Sequence, residues 1–481
     1  MKNMDYDVVI VGGGVVGCAA ARELSRYRLR VALLEGGHDV SLGASRANSG
    51  IVHSGYDAKP DSVMAGLNVR GNALYERMCD ELGVSFSRIG SLTVAFDDKQ
   101  AALLRELYEQ GVANGVPDIS IISGDEARKR EPLLSSGVVS ALFAPTAGIV
   151  SPYQLTIALM ENARENGVDI LLNARVDVID AEADGFTIRA GGEAYRASYI
   201  INAAGVFADE VARLIGDDSF KITPRKGEYI MLDRGASDVK YVLFQTPSDM
   251  GKGIVVSPTV DGNAYIGPTA DDISDKTDSA TLADSFAKLR RLGALTVPGV
   301  DMSKQITQFA GIRAISDTGD FIIKPSERHP RFIHAAGISS PGLTSSPAIA
   351  EELAGLLRVA GLTLVDEPSF NPIRRPIERF ENMPPERKQS AIEDNPLYGH
   401  IICRCETVTE AEIVEAVRRG ATSVDAVKRR VRAGLGRCQG GFCMPRIIEI
   451  IARELNIPTE QVPKSGKGSN IVLNRTRKLK S

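Results

Sequence analysis

Asp7-Val8-Val9-Ile10-Val11-Gly12-Gly13-Gly14-Val15-Val16-Gly17 opens the chain with a β-branched run that stops at three glycines. Ala19 to Ser25 then reads as an Ala-rich helix, and a second apolar run, Val31-Ala32-Leu33-Leu34, ends at Glu35. Strand, turn, helix and strand make a βαβ unit. Gly12, Gly14 and Gly17 give a Gly-x-Gly-x-x-Gly turn: glycines permit the tight bend, let backbone approach a pyrophosphate, and bring helix close to strand. The phosphates would face the helix N-terminus at Val15, and Glu35 stands where an acid accepts ribose hydroxyls. This fingerprint points to an adenosine dinucleotide and does not separate FAD from NAD.

Working outward, the pattern changes to polar helices such as Lys99 to Asn114 over an inserted segment, 86–145, before a helix from Tyr153 to Asn166. A second departure, 224–308, carries strand-like stretches (Glu228 to Leu232, Gly253 to Ser257, Ala264 to Ile266) that predict an antiparallel sheet capping a nucleotide-binding core. Prolines thicken from Pro368 to Pro396, as in a surface linker. The end of the chain, from Lys464, carries six Lys or Arg and no acid, reading as a frayed terminus or a partner-docking tail. A net charge of -4 over 481 residues gives no global reason to expect nucleic acid. Asp5 and Asp7 precede the first apolar run and glycines interrupt it, so neither secretion nor a membrane span is expected, and the cytoplasm is. Six cysteines are too few for a disulfide scaffold, and four crowd into one C-terminal stretch, which points to metal ligation.

The passages Tyr199-Ile200-Ile201-Asn202-Ala203-Ala204-Gly205-Val206-Phe207-Ala208-Asp209 and Phe332-Ile333-His334-Ala335-Ala336-Gly337 resemble strand-to-loop passages of the D-amino acid oxidase superfamily of flavoproteins. Ser45-Arg46-Ala47-Asn48-Ser49-Gly50-Ile51-Val52-His53-Ser54-Gly55-Tyr56 is similar to the segment that runs past the flavin in glycerol-3-phosphate oxidases and dehydrogenases and in L-2-hydroxyglutarate oxidases. The resemblance implies an α/β fold: a Rossmann-like FAD-binding domain over 1–365, capped by an antiparallel sheet. It implies FAD contacts at Gly12, Gly14, Val15, Gly17, Glu35, Ser45, Asn48, Ser49, Val176, Ala204, Gly205, Gly337, Gly342, Leu343 and Thr344. A helix expected from Pro347 to Val359 would turn its positive end toward reduced flavin.

Oxidising a secondary alcohol at flavin requires a base for the hydroxyl proton, and His53 is the candidate, with Ser49 near it. An isolated His more often orders a loop; the Asn-Ser-Gly-x-x-His pattern reverses that order. Gly311-Ile312-Arg313 matches the family element whose Arg fixes the substrate's anionic group, a task suited to a planar fork. Lys252 resembles a phosphate-contacting position, although most lysines in such loops are simply solvated.

Cys403-Arg404-Cys405 and Cys438-Gln439-Gly440-Gly441-Phe442-Cys443 bracket two amphipathic stretches, Glu410 to Arg419 and Val424 to Arg432. Four thiolates there suit zinc or an iron-sulfur cluster. The arrangement resembles the bacterioferritin-associated ferredoxin-like domain, which implies a 2Fe-2S cluster on Cys403, Cys405, Cys438 and Cys443 in a small helical domain over 399–458, between a linker (366–398) and a basic tail (459–481). Arg404, Arg429, Arg430, Arg432 and Arg437 are candidates to offset cluster charge or to form a docking face. Flavin and cysteine domains in this order resemble the catalytic subunits of the anaerobic glycerol-3-phosphate dehydrogenase family. That resemblance implies oxidation of sn-glycerol 3-phosphate, with electrons relayed to an accepting flavoprotein or iron-sulfur subunit in a hetero-oligomer. A 2-hydroxy acid is the alternative substrate, and a noncatalytic redox-sensing or assembly subunit the alternative of another class.

Overall fold

The run from Val8 to Val11 is apolar at every position, and a strand can be so only when both its faces are covered. In the computed structural model, which describes residues 5–247 and 253–474, Tyr6–Val11 is a central strand with Val8, Val9 and Ile10 fully buried. The chain forms two compact units, one of Met1–Gly36 with Val40–Arg374, the other of Gly37–Asp39 with Arg375–Ser481.

In the first unit one sheet runs in the order Val176–Ala181, Phe186–Ala190, Glu193–Asn202, Tyr6–Val11, Val31–Leu34, Asp169–Leu171. Phe332–Ala336 joins it parallel to the end of Glu193–Asn202, through Ile200 to Asn202. The five central strands are parallel, so their carboxyl ends open on one crevice. Helices Val15–Leu24, Val63–Leu82, Pro152–Glu165 and Gly342–Val359 share one apolar cluster with this sheet. Gly71 brings two of them into backbone contact: a Cβ there would stand 2.2 Å from the Thr344 carbonyl oxygen.

The last helix begins at Gly342, five residues before the expected start at Pro347. Proline is tolerated inside it because the carbonyl its missing N–H would have served, that of Leu343, accepts the Tyr75 hydroxyl at 2.6 Å and the Ser346 hydroxyl at 2.9 Å.

The segments 86–145 and 224–308 build a single second sheet. It is antiparallel except at one junction, where Val242–Gln245 runs parallel to Ser91–Ala95 and fuses the two segments. Its longest pairing aligns Ile222–Leu232 with Gln305–Ser316.

The stretch 366–398 divides. Arg374 stays with the first unit, its Nε 2.7 Å from Glu161 and its Nη1 donating to Leu82 O. From Arg375 on, the chain joins the second unit and forms the helix Pro385–Asp394. That unit holds strands Ile401–Cys403 and Val408–Thr409 and helices Glu410–Arg418, Val424–Val431 and Met444–Leu455. Thr409 and Glu412 close a capping box on the first of these helices. Ile413, Val417, Val427, Ile447, Ile448 and Ile451 form the core. Residues after Lys464 fold back on the unit, Lys464 pairing with Asp425 at 3.0 Å; 475–481 lie outside the described residues. Among the described residues no helix is long and apolar enough to cross a membrane.

Candidate active site and cluster site

Gly12, Glu35, Ala203 to Gly205 and Gly337 each follow the carboxyl end of a parallel strand, so the topology gathers them at one crevice. Gly12 has φ +113°, and a Cβ on it would come 2.4 Å from Ala203 O; one on Gly17 would come 1.9 Å from Gly12 O. Turn and helix are therefore closed around hydrogen atoms where any side chain would intrude. Glu35 accepts the Gly13 N–H at 2.7 Å and Ser45 Oγ accepts that of Val15 at 2.8 Å, fixing the loop. Ser41 Oγ, buried beside Gly13, has no hydrogen-bond partner among the described residues. A glycine cradle, a placed acid and an orphaned hydroxyl fit an adenosine dinucleotide. Val176, Leu171 and Ala204 each pack against one apolar cluster that includes Val11, Leu34 and Ile200 of the parallel strands, and Gly205 and Gly337 take positive φ.

Asn48 holds its loop in place. Its amide donates to Ala44 O at 2.9 Å and accepts Gly50 N–H at 2.8 Å, so both ends brace the loop. Ser49 faces the buried Tyr265 hydroxyl together with Ser257, and burial raises that phenol's pKa.

His53 is held from three directions. Its N–H donates to Thr344 Oγ1 at 2.9 Å, and its carbonyl accepts Asn68 Nδ2 at 2.9 Å and Asn72 Nδ2 at 3.0 Å. With the backbone fixed, the ring sits 5.8 Å from Phe244, and Nε2 lies 3.3 Å from Ser340 Oγ. Asn68, Asn72 and Phe244 belong to no motif, and nothing in the local sequence of Ser340 signals its contact with His53.

Arg313 projects from Gln305–Ser316 on the same face as Gly311, since side chains alternate along a strand. A Cβ at Gly311 would stand 1.8 Å from Ala47 O, so the strand lies directly on the loop that carries His53. This contact explains the Gly-x-Arg spacing: the glycine admits the loop, and the arginine two residues on reaches past it. Arg313 Nη2 donates to Thr269 O at 2.6 Å and crosses Gly227, whose Cβ would meet it at 2.4 Å. Tyr229, stacked on Phe309 at 4.7 Å, shares one apolar cluster with Ile51, Phe244 and Tyr265, so His53, beside Phe244, and Arg313, near Tyr229, border the same aromatic wall. Lys252 lies outside the described residues.

In the second unit the thiols form two pairs. Cys405 Sγ is 3.7 Å from Cys438 Sγ, and Cys403 is hydrogen-bonded to Cys443. That bond pulls the Cys403 thiol down to about 6, helped by the Gly434 and Glu406 N–H groups, and pushes the Cys443 thiol up. N–H groups of Gly440, Gly441 and Phe442 point at Cys438. Gly436 admits the Cys405–Cys438 pair, since its Cβ would fall 2.4 Å from Cys405 Cβ. Among the described residues no three His, Cys, Asp or Glu side chains converge as ligands of one ion. Two thiol pairs inside an amide cradle fit a two-iron cluster, in which each iron takes two thiolates, better than a zinc ion. The arginines are not all available to offset its charge. Arg429 and Arg430 bind Asp39 at 2.8 Å and Arg432 binds Glu406 at 2.7 Å, all buried, whereas Arg404 and Arg437 are exposed.

Comparison with known proteins bears on both units. The FAD dependent oxidoreductase family (DAO) matches residues 7–356, and the BFD-like [2Fe-2S] binding domain matches residues 401–453. The chain is similar to a glycerol 3-phosphate dehydrogenase of Caloramator mitchellensis, 44% identical over 98% of this chain and 99% of that one. It is 36% identical to a glycerol 3-phosphate oxidase of Mycoplasma pneumoniae, over 76% of this chain and 97% of that one. The solved structure of L-alpha-glycerophosphate oxidase from Mycoplasma pneumoniae with FAD bound aligns with a TM-score of 0.73 at 35% identity, over 77% of this chain and 98% of that one. Fold, nucleotide crevice and paired cysteines agree with these matches: the chain belongs to the FAD-dependent oxidoreductases of the DAO family and carries a [2Fe-2S] binding domain at its C-terminal end.

Proposed function

We propose that this chain is a dehydrogenase that oxidises sn-glycerol 3-phosphate to dihydroxyacetone phosphate and passes the electrons through its 2Fe-2S domain to a partner protein. The observation that carries the reading is the seating of the Arg313 strand on the His53 loop at Gly311, which brings Arg313 and His53 to one aromatic wall. Arg313, steadied by Thr269 O, offers a phosphate two parallel charge-assisted hydrogen bonds. Lys252 is proposed as a second cation for that phosphate. His53 takes the hydroxyl proton at Nε2, with Ser340 orienting the ring and Asn68, Asn72 and Thr344 fixing its backbone. Phe244, Tyr229 and Tyr265 keep water from the reacting carbon. Gly12, Gly14, Gly17 and Glu35 would hold the FAD and Cys403, Cys405, Cys438 and Cys443 the cluster; when bound, these supply a two-electron acceptor and a one-electron carrier.

Chain length supports dehydrogenase over oxidase. The relative named an oxidase is almost fully covered by 76% of this chain, whereas the relative named a dehydrogenase spans 98% of it; the difference is about the size of the cysteine unit. An oxidase returns electrons from flavin to oxygen and has no use for a relay; a one-electron carrier fits export to an accepting flavoprotein or iron-sulfur subunit in a hetero-oligomer. The test is anaerobic addition of sn-glycerol 3-phosphate while following the flavin band near ~450 nm, with L-2-hydroxyglutarate in parallel. Rapid bleaching by the phosphate ester alone is expected. Bleaching by the hydroxy acid alone would transfer the Arg313 role to a carboxylate, and bleaching by neither would favour a noncatalytic sensor.

A further inference from the structure

The cysteine unit presents its sulfurs unequally. Cys403 and Cys443 are buried, each 2% exposed, whereas Cys405 is exposed and Cys438 half-buried. One edge of the site therefore reaches the surface, and because electron exchange falls off steeply with distance, that edge is where a partner must approach. Phe442 stands on it. Its N–H points at the Cys438 sulfur, its next neighbour is Cys443, and it is 85% exposed, the most of any large apolar residue among the described residues. A single exposed apolar residue is ordinary; one attached to two ligand cysteines, with exposed Pro445 two residues past Cys443, is not explained by packing. The exposed charged residues next to the cysteines in the chain are mostly of one sign: Arg404, Arg437 and Arg446, against Glu449 on the helix Met444–Leu455. Arg429, Arg430 and Arg432 take no part, being turned to Asp39 and Glu406.

We propose that Phe442 and Pro445, ringed by Arg404, Arg437 and Arg446, form the docking face for an electron-accepting protein whose own redox centre lies within an acidic surface. The inference rests on the reading of the chain as an exporter of electrons. An aromatic anchor inside a ring of arginines is the composition of an interface hot spot, and the exposed cations set the encounter rate and its salt dependence. The chain's net charge of -4 would repel an acidic partner at long range, so the local cations must supply the attraction.

The test uses the full chain with flavin and cluster loaded, and a flavodoxin, an acidic FMN protein, as the probe. Binding is measured by calorimetry at low and at raised salt, cluster reduction by low-temperature electron paramagnetic resonance after substrate addition, and substrate oxidation with dichlorophenolindophenol. Phe442→Ala should weaken binding by on the order of tenfold or more, and Arg404→Glu with Arg437→Glu and Arg446→Glu should weaken it further and flatten its salt dependence. Dye activity and the resonance signal of Phe442→Ala should match wild type, as should the rate of flavin bleaching by substrate in the arginine variant and flavodoxin binding by Arg105→Glu, a reversal in the flavin-binding unit. Unchanged flavodoxin binding in the Phe442 and arginine variants would overturn the docking face, and so would absence of binding by wild type. A flavin that bleaches while the cluster signal never appears would overturn the export reading itself, a result distinguishable from either.

Discussion

Adding one methyl group at Gly227 should displace Arg313 while leaving every charge in place. Gly227 lies in Ile222–Leu232 opposite Gly311, and the Cβ of an alanine there would stand 2.4 Å from Arg313 Nη2, 2.9 Å from Pro268 Cβ and 3.1 Å from Thr269 O. Ordinary carbon contacts begin near ~3.5 Å, so the guanidinium end must retreat by about 1 Å. It can do so because it ends a flexible side chain, and Gly227 has no positive φ for alanine to strain. The hydrogen bond to Thr269 O, 2.6 Å in the present geometry, would be lost. A misplacement of about 1 Å costs roughly 100-fold in catalytic efficiency, or ~2.7 kcal/mol of transition-state stabilisation. The assay is anaerobic stopped-flow bleaching of the flavin across a series of sn-glycerol 3-phosphate concentrations, with flavin content and thermal unfolding as controls. KM should rise and kcat/KM fall about 100-fold, with Arg313→Lys falling at least as far because it loses the fork. A folded, flavin-loaded Gly227→Ala whose kcat/KM stays within about threefold of wild type would refute the placing of the substrate anion at Arg313.

His53→Asn should slow flavin bleaching by roughly 10²- to 10⁴-fold while substrate still binds, and equal bleaching rates would remove His53 as the base. Gly436→Ala should push Cys405 away, its Cβ falling 2.4 Å from that of Cys405; iron and sulfide analysis should show loss of the cluster, while substrate still bleaches the flavin. In the core of the flavin-binding unit, burial lowers the pKa of His334, whose Nε2 lies 3.0 Å from Asp217. The folded chain thus declines a proton that the unfolded chain accepts below pH ~6.5. Stability from this site is present above that pH and is lost as pH falls, by up to ~1.36 kcal/mol per unit. His334→Gln should flatten the fall of denaturant-measured stability between about pH 7 and 5, and identical slopes in variant and wild type would contradict the assignment.

Part of the site is legible in the amino-acid sequence because its chemistry is local. Glycine spacing and the acid at Glu35 follow from one strand-turn-helix-strand passage, and the helix Met444–Leu455, though not predicted, left a signal in Ile447, Ile448 and Ile451. Helix starts are less legible. Nothing near Pro347 announces that Tyr75, far away in sequence, will occupy the carbonyl a proline leaves bare.

Elements whose information lies within a few residues of each other were set by the amino-acid order alone: the βαβ unit, the glycine turn, the close spacings Cys403/Cys405 and Cys438/Cys443 and the helices around them. Which distant elements meet was settled by the folded chain. Ser91–Ala95 and Val242–Gln245 are joined into one sheet, Gly311 receives Ala47, and three of five arginines near the cysteines are spent on Asp39 and Glu406. The physical reason is that such meetings depend on the shape left when buried faces close on one another. That shape turns on where a side chain is absent, as at Gly227, Gly311 and Gly436, and an absence has no periodicity to read.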